Sequence, residues 1–414
     1  MSVPFSVIVL LAAFLLIAFR QTIRIKLRIW QILLAGAIIV LITGQITPSG
    51  AIASINITVI AFLIFIFVIG EALTESNYIQ YLSYRIFRRA RSVDSLILLL
   101  LFSAGFASMF LLNDTLAVIG TPVVMLFAIR EKINPKMMLL ALAFAVTIGS
   151  AASPIGNPQN VLVASSGVAR NPFISFFSYL LVPTIINLII AYAILRLFYK
   201  KEFRKKKLIN AKVEIADKAL ANLCKISLIL LLLAIAADVI MVYIGKGSGL
   251  NLAYIAIIAS LPILLFSRKR IHLVRSIDWT TIIFFLALFV LVGSVWNSGF
   301  LQSWIGSLNL DLASIPTILL ANVIGSQLIS NVPMVLIYLK LLAFNHLSVS
   351  AEMALTAGST IAGNLFILGA ASNVIIVQIA EKRYKESLSF FDFAKVGIFL
   401  TAANVFVYWL FLSL

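Results

Sequence analysis

TIGSAASPIGNPQNV, residues 147–161, aligns without a gap on TIAGNLFILGAASNV, residues 360–374. Threonine, isoleucine, glycine, asparagine and valine coincide, and both stretches place helix breakers in the middle of apolar sequence. Each breaker costs about 1 to 3 kcal/mol in a helix unless its surroundings compensate. A helix broken inside a membrane puts that cost to use. Its free N–H groups and positive dipole end face one way and its free carbonyls the other, which together make an ion or solute site near the midplane. A proline kink with glycine packing, or chance likeness between small-residue helices, are the plainer alternatives. The matched positions in two places weigh against both.

Outward from these stretches, each is preceded by an apolar segment with polar residues at its midpoint. The first, about 93–129, carries Asn113, Asp114 and Thr115; the second, about 313–344, carries Ser330 and Asn331. They read as helical hairpins that enter and leave on one side, since backbone freed at a tip must be buried in protein or line a wet cavity. An amphipathic stretch, 73–91 or 297–312, precedes each hairpin. The remaining apolar windows are long enough to span near 2–19, 30–44, 51–72, 137–169, 172–199, 221–244, 250–267, 279–296, 350–380 and 392–413. Ten crossings, five per half, turn the halves opposite ways. The expected fold is therefore an all-α polytopic membrane protein in one membrane domain. Two inverted repeats, residues 1–207 and 208–414, each contain five transmembrane helices, a re-entrant hairpin and a discontinuous helix.

Composition agrees with a membrane chain: 62% of the 414 residues are hydrophobic, 11% are charged, and the mean hydropathy is +1.11. A net charge of +17 suggests nucleic acid on its face, but the basic residues sit in short clusters between apolar spans. Orientation in the bilayer explains them better. With both hairpins re-entrant, all but Arg170, Lys246 and Lys340 of the 32 Lys and Arg fall on one side, the cytoplasmic side by the positive-inside rule. Both termini then lie outside. Basic residues from Arg20 to Arg28 follow the first apolar run, the reverse of a cleavable signal peptide, so that run is expected to be retained.

The chemistry this chain can hold is narrow. One cysteine, Cys224, excludes an internal disulfide and a CxxC metal site, and two histidines, His272 and His346, argue against a His-rich centre. No catalytic constellation or nucleotide-binding loop is present, so the chain reads as no enzyme and as needing no cofactor, and uphill transport requires an ion gradient or a partner ATPase in the cytoplasm. Asp114 and Asp238 lie deepest in apolar segments, where an unpaired carboxylate costs at least about 2.5 to 3.5 kcal/mol. Asp114 is the better coupling candidate, because Asn113 and Thr115 flank it at a hairpin tip and supply neutral oxygens suited to Na+, while its carboxyl suits H+. Capping of the helix that follows is an alternative role for it. Asp238 has no companion motif, and a structural partnership is as good a reading as coupling. Glu71 and Glu352 fall near span ends and are expected to be solvated.

At NDTLAVIGTPVV (113–124), GNPQNVLVA (156–164), SNVPMVLIY (330–338) and GAASNVIIV (369–377) the sequence resembles the ion transporter superfamily, especially its ArsB/NhaD permease branch with citrate-transporter-like relatives. The resemblance implies an alternating-access carrier, often elevator-type and homodimeric, in the plasma membrane. Its site would be formed by Asn113, Asp114, Thr115, Gly156, Asn157, Asn160, Ser330, Asn331, Gly369, Ser372 and Asn373. The dicarboxylate branch carries two Ser-Asn-Thr motifs; here the first tip carries an aspartate and the second reads Ser-Asn-Val-Pro. A carboxylate beside a dianion is repulsive unless protonated or neutralised. This favours a small inorganic solute, a neutral metalloid acid such as arsenite or antimonite moved with H+ or Na+, or Na+/H+ antiport, over carboxylate transport. A channel is the competing class.

Overall fold

The computed structural model describes residues 3–19, 27–204, 215–244, 251–300, 303, 311–343 and 348–414. Parts of the polar stretch 200–218 and of the amphipathic stretch 297–312 lie outside them. The described residues form nineteen α-helices and a few 3-10 turns, with no strand. The amphipathic stretch 73–91 divides at Asn77, whose left-handed backbone ends α4 (Ile57–Ser76) and leads into α5 (Tyr78–Phe87). Among the described residues six helices are long and apolar enough to cross a membrane: α4, α7 (Asn113–Arg130), α10 (Pro172–Phe198), α11 (Lys218–Tyr243), α14 (Trp279–Asn297) and α19 (Phe390–Leu412). Shorter apolar helices are α1 (Phe5–Phe19), α2 (Ile29–Ile42), α6 (Val93–Ser108), α8 (Pro135–Ser150), α12 (Leu252–Phe266), α15 (Ile315–Ile329) and α16 (Asn331–Leu342).

One window of the expected map is divided. The window 51–72 is not one helix: α3 (Pro48–Ser54) stops short, and Asn56 accepts the Val59 N–H at 3.2 Å to start α4 afresh. Asparagine followed by proline starts three other helices in the same way. Asn134, Asn157 and Asn171 each cap a helix, α8, α9 (Pro158–Ala164) and α10, whose first residue is proline. The side-chain oxygen takes an orphan N–H, and proline has none to lose at that position.

Both broken helices are present. The first is α8, a turn over residues 151–157, and α9. The second is α17 (Val349–Ile361), two 3-10 turns at Ala362–Asn364 and Ile367–Gly369, and α18 (Ala371–Tyr384). The leading limbs form the centre of the molecule: α8 is buried from Met137 to Ser150 and α17 from Ala351 to Ile361. Small residues make this possible, because lipid gives apolar side chains no reason to associate and close backbone packing must hold the helices together. A Cβ at Gly149 would lie 2.2 Å from the Gly105 carbonyl, so α6 and α8 cross backbone to backbone. The hairpins are α6 with α7 and α15 with α16. Around them α1, α2, α4, α11, α12 and α14 pack largely on one another.

Candidate functional site

The two breaks close on themselves in equivalent ways. Asn160 Nδ2 donates to the Ser150 carbonyl at 2.8 Å, and Asn373 Nδ2 donates to the Gly363 carbonyl at 2.6 Å. In the alignment of residues 147–161 with 360–374, Ser150 matches Gly363 and Asn160 matches Asn373. The turn bonds match as well, Gly156 N–H to the Ser153 carbonyl and Gly369 N–H to the Phe366 carbonyl. Glycine is required at both turns, because a Cβ would fall 2.5 Å from the Ser150 carbonyl at position 156 and 2.6 Å from the Ala362 carbonyl at position 369.

Thr360 joins one break to the other helix. Asn157 Nδ2 donates to Thr360 Oγ1 at 3.1 Å, and Thr360 Oγ1 donates to Asn160 Oδ1 at 3.1 Å. The first hairpin tip is fixed to the same place, since the Asn113 N–H donates to the Gly156 carbonyl at 3.1 Å. Although α7 is long enough to span, its first residue is therefore held at a break in the protein interior.

A cavity of about 430 Å3 lies where these parts meet. Its wall includes Asn113 and Asp114 of the first tip, Ser330 and Asn331 of the second, Pro158 and Gln159 of α9, and Ala370 and Ala371 at the start of α18. Asn113 and Asn331 are each only 6% exposed, and the side-chain oxygen of each has no hydrogen-bond partner among the described residues. Helices α7, α16 and α18 begin here without a side-chain cap. Ser330, at φ +73°, turns the second tip tightly. The cavity thus offers neutral oxygens, free helix N–H groups and a single carboxylate, that of half-buried Asp114.

The remaining sequence candidates are placed elsewhere. Asn157 and Asn160 are fully buried and engaged in the break, behind the wall rather than in it. Ser372 and Asn373 are buried in the first turn of α18, and the side-chain oxygen of each has no partner among the described residues. Thr115 turns away from the cavity towards Gly70 of α4, whose missing Cβ makes room for its hydroxyl. Asp238 is not part of this wall; it accepts from Asn171 Nδ2 at 2.8 Å and so holds the residue that caps α10. Glu352, expected to be solvated, is instead fully buried, because α17 turns this side chain inward against Ser166 just beyond the end of α9. The sequence reading missed Arg28, Gln159, Thr280, Thr281 and Gln378, which also line the cavity. Gln159 and Gln378 were visible as amides in apolar stretches; Arg28 was visible only as an orientation charge.

Hairpins, broken helices and a shared cavity fit a membrane transporter, and comparison with known proteins gives the family. The profile described as citrate transporter matches residues 13–351, and the chain belongs to that family, within the ion transporter superfamily. An uncharacterized transporter of Mycobacterium tuberculosis is 28% identical over 97% of this chain and 95% of its own length. The mouse P protein is 23% identical over 95% of this chain and 58% of its own. The rice silicon efflux transporter LSI3 is 33% identical over 36% of this chain and 30% of its own. Among solved structures, the YdaH transporter of Alcanivorax borkumensis, described as having an unusual topology, matches with a TM-score of 0.59 at 14% identity, over 85% of this chain and 84% of that one. The fold is shared.

Proposed function

We propose that this transporter is an ion-coupled carrier of a small, oxygen-rich inorganic solute, an uncharged metalloid acid such as arsenite, and that Asp114 carries the coupling H+ or Na+. The observation that carries the reading is the cavity wall: one carboxylate among amide oxygens and free helix N–H groups, where both tips and both breaks meet. A solute that presents hydroxyls donates to Asn113 and Asn331 and accepts from helix N-termini without placing a second negative charge beside Asp114. Sodium–proton antiport uses the same carboxylate without a solute.

A carboxylate substrate, as the family's description names, is the second reading. It is favoured by the three uncapped helix N-termini and by Arg28, which give the cavity a positive side. Uptake into proteoliposomes separates these readings when arsenite, silicic acid, citrate and Na+ are each tested with and without a pH or Na+ gradient. Gradient-driven arsenite or silicic acid flux without citrate flux supports the first reading, citrate flux alone supports the second, and equal flux with and without gradients contradicts coupling. In this proposal the cavity opens at the starts of α2 and α14, beside the basic loops and hence towards the cytoplasm, in a homodimeric elevator of the plasma membrane with both termini outside.

A further inference from the structure

Helix α9 lies antiparallel to α17. At its start Asn157 and Asn160 hold Thr360, and just beyond its end Ser166 donates to Glu352. Eight residues of α17 separate the two contacts, about 12 Å along the helix. The cavity that holds Asp114 is at the first end. At the second end is a separate vestibule of about 630 Å3, lined by Ser54, Asn56, Ser165, Ser166 and Lys340 among apolar side chains. By the distribution of basic residues it opens on the face opposite the basic loops.

Glu352 is 0% exposed behind this vestibule. Its Oε1 takes the hydrogen bond of Ser166, and its Oε2 has no partner among the described residues. One turn on, the buried Thr356 hydroxyl is also unpartnered. Ser166 is exposed, so a single hydroxyl stands between the vestibule and the carboxyl. A carboxylate buried at this depth without a cation is costly, and such residues mark proton relays.

The charged groups around α17 do not neutralise it. Helices α9 and α15 carry no titratable residue. On α16, Tyr338 bonds the Leu312 carbonyl, and Lys340, the cation nearest in the vestibule wall, lies over the Trp296 ring. Lys136 of α8 pairs with Asp392 of α19, Lys395 lies over Phe198, and Tyr408 bonds Thr184. On α10, Tyr192 and Arg196 are engaged with Asp94, and Tyr179 is exposed. Arg170, beside Ala169, is exposed.

We propose that Glu352 is a second proton-carrying carboxylate of the carrier, exchanging with the vestibule through the Ser166 hydroxyl, at the opposite end of α9 from Asp114. The hydroxyl passes its proton to the carboxylate as it takes one from a hydronium ion in the vestibule, leaving a neutral carboxylic acid and water. The inference rests on the coupled-carrier reading, and its test has one arm that does not. Infrared difference spectra between acid and alkaline pH are recorded on the purified full chain in detergent. Wild type should show a carboxylic carbonyl band that Glu352→Gln lacks and Asp114→Asn keeps, and Ser166→Ala should move that band by removing its hydrogen bond. In liposomes, Glu352→Gln should reduce gradient-driven flux of the solute found above at least tenfold while exchange of solute for solute persists. Identical spectra for wild type and Glu352→Gln overturn the proposal whatever solute is carried; so does full gradient-driven flux in that variant. Where Glu352→Gln does not fold, an unmoved band in Ser166→Ala overturns it alone.

Discussion

In Asn160 the side-chain amide donates to two carbonyls, those of Ser150 and Ser153, which closes the break, and its oxygen accepts from Thr360, which ties the break to α17. Asn373 has one such bond, to Gly363, and its oxygen has no partner among the described residues. Removing a partner from a buried group costs more than the bond itself contributes, because the orphan stays out of water. Asn160→Ala is therefore expected to destabilise the purified protein by about 2 kcal/mol, and Asn373→Ala by less, read as thermal midpoints in detergent. Equal effects would contradict the assignment of Asn160 as a clamp and Asn373 as the freer of the pair. The sequence made the two asparagines equivalent and singled out both hairpin tips, because polar residues in apolar runs are conspicuous. It could not separate cavity wall from clamp: which way an amide turns depends on Thr360, about 200 positions away, and no local pattern records that. Glu352 was misread for the same reason, since the contact that buries it comes from Ser166.

At the scale of elements, the crossing of α6 and α8 is the tightest constraint. Gly149→Ala places a methyl group against the Gly105 backbone, which cannot yield without separating the helices, and should cost about 3 kcal/mol or prevent insertion. Gly167, at φ +83° with open space around it, is the control: alanine there should cost only about 1 kcal/mol of backbone strain. Comparable expression and melting of the two variants would contradict the crossing. Outside the membrane, Asp217 caps α11 by accepting the Leu220 N–H at 3.0 Å, and it also pairs with Lys269 at 3.3 Å. These contacts, the Leu220 N–H foremost, hold its carboxyl below the ordinary value of 3.8. A depressed carboxyl stabilises the fold above its unfolded value and loses that effect as pH falls through its folded value. Asp217→Ala should thus lower stability by about 1 kcal/mol at neutral pH and by progressively less as pH falls through the folded value; an undiminished deficit in acid would point to packing instead. Helix existence was legible from hydropathy alone. The division at Asn56 was not, because one capping asparagine inside an apolar window leaves the average unchanged.

The whole molecule presents two cavities at opposite ends of α9, the arrangement that alternating access requires if they open to opposite sides. Ion pairs Lys136–Asp392, Arg196–Asp94 and Lys269–Glu75 join loops that the positive-inside reading places together. Ala343→Cys in the vestibule should accordingly react with an impermeant thiol reagent in intact cells, and Thr280→Cys in the other cavity only in inverted vesicles; native Cys224 is buried and stays silent. Labelling of both from one side would contradict the topology. In the proposed mechanism the coupling of a gradient to flux uses Asp114, the carboxylate in the cavity wall. Asp114→Asn keeps the size of the side chain and removes its titratable charge. The decisive measurement is gradient-driven flux of wild type and Asp114→Asn in proteoliposomes across a range of pH, alongside solute exchange at zero gradient. The variant is predicted to exchange solute, to lose gradient-driven accumulation, and to lose the wild-type pH dependence; accumulation at the wild-type rate with an unchanged pH profile would contradict the account.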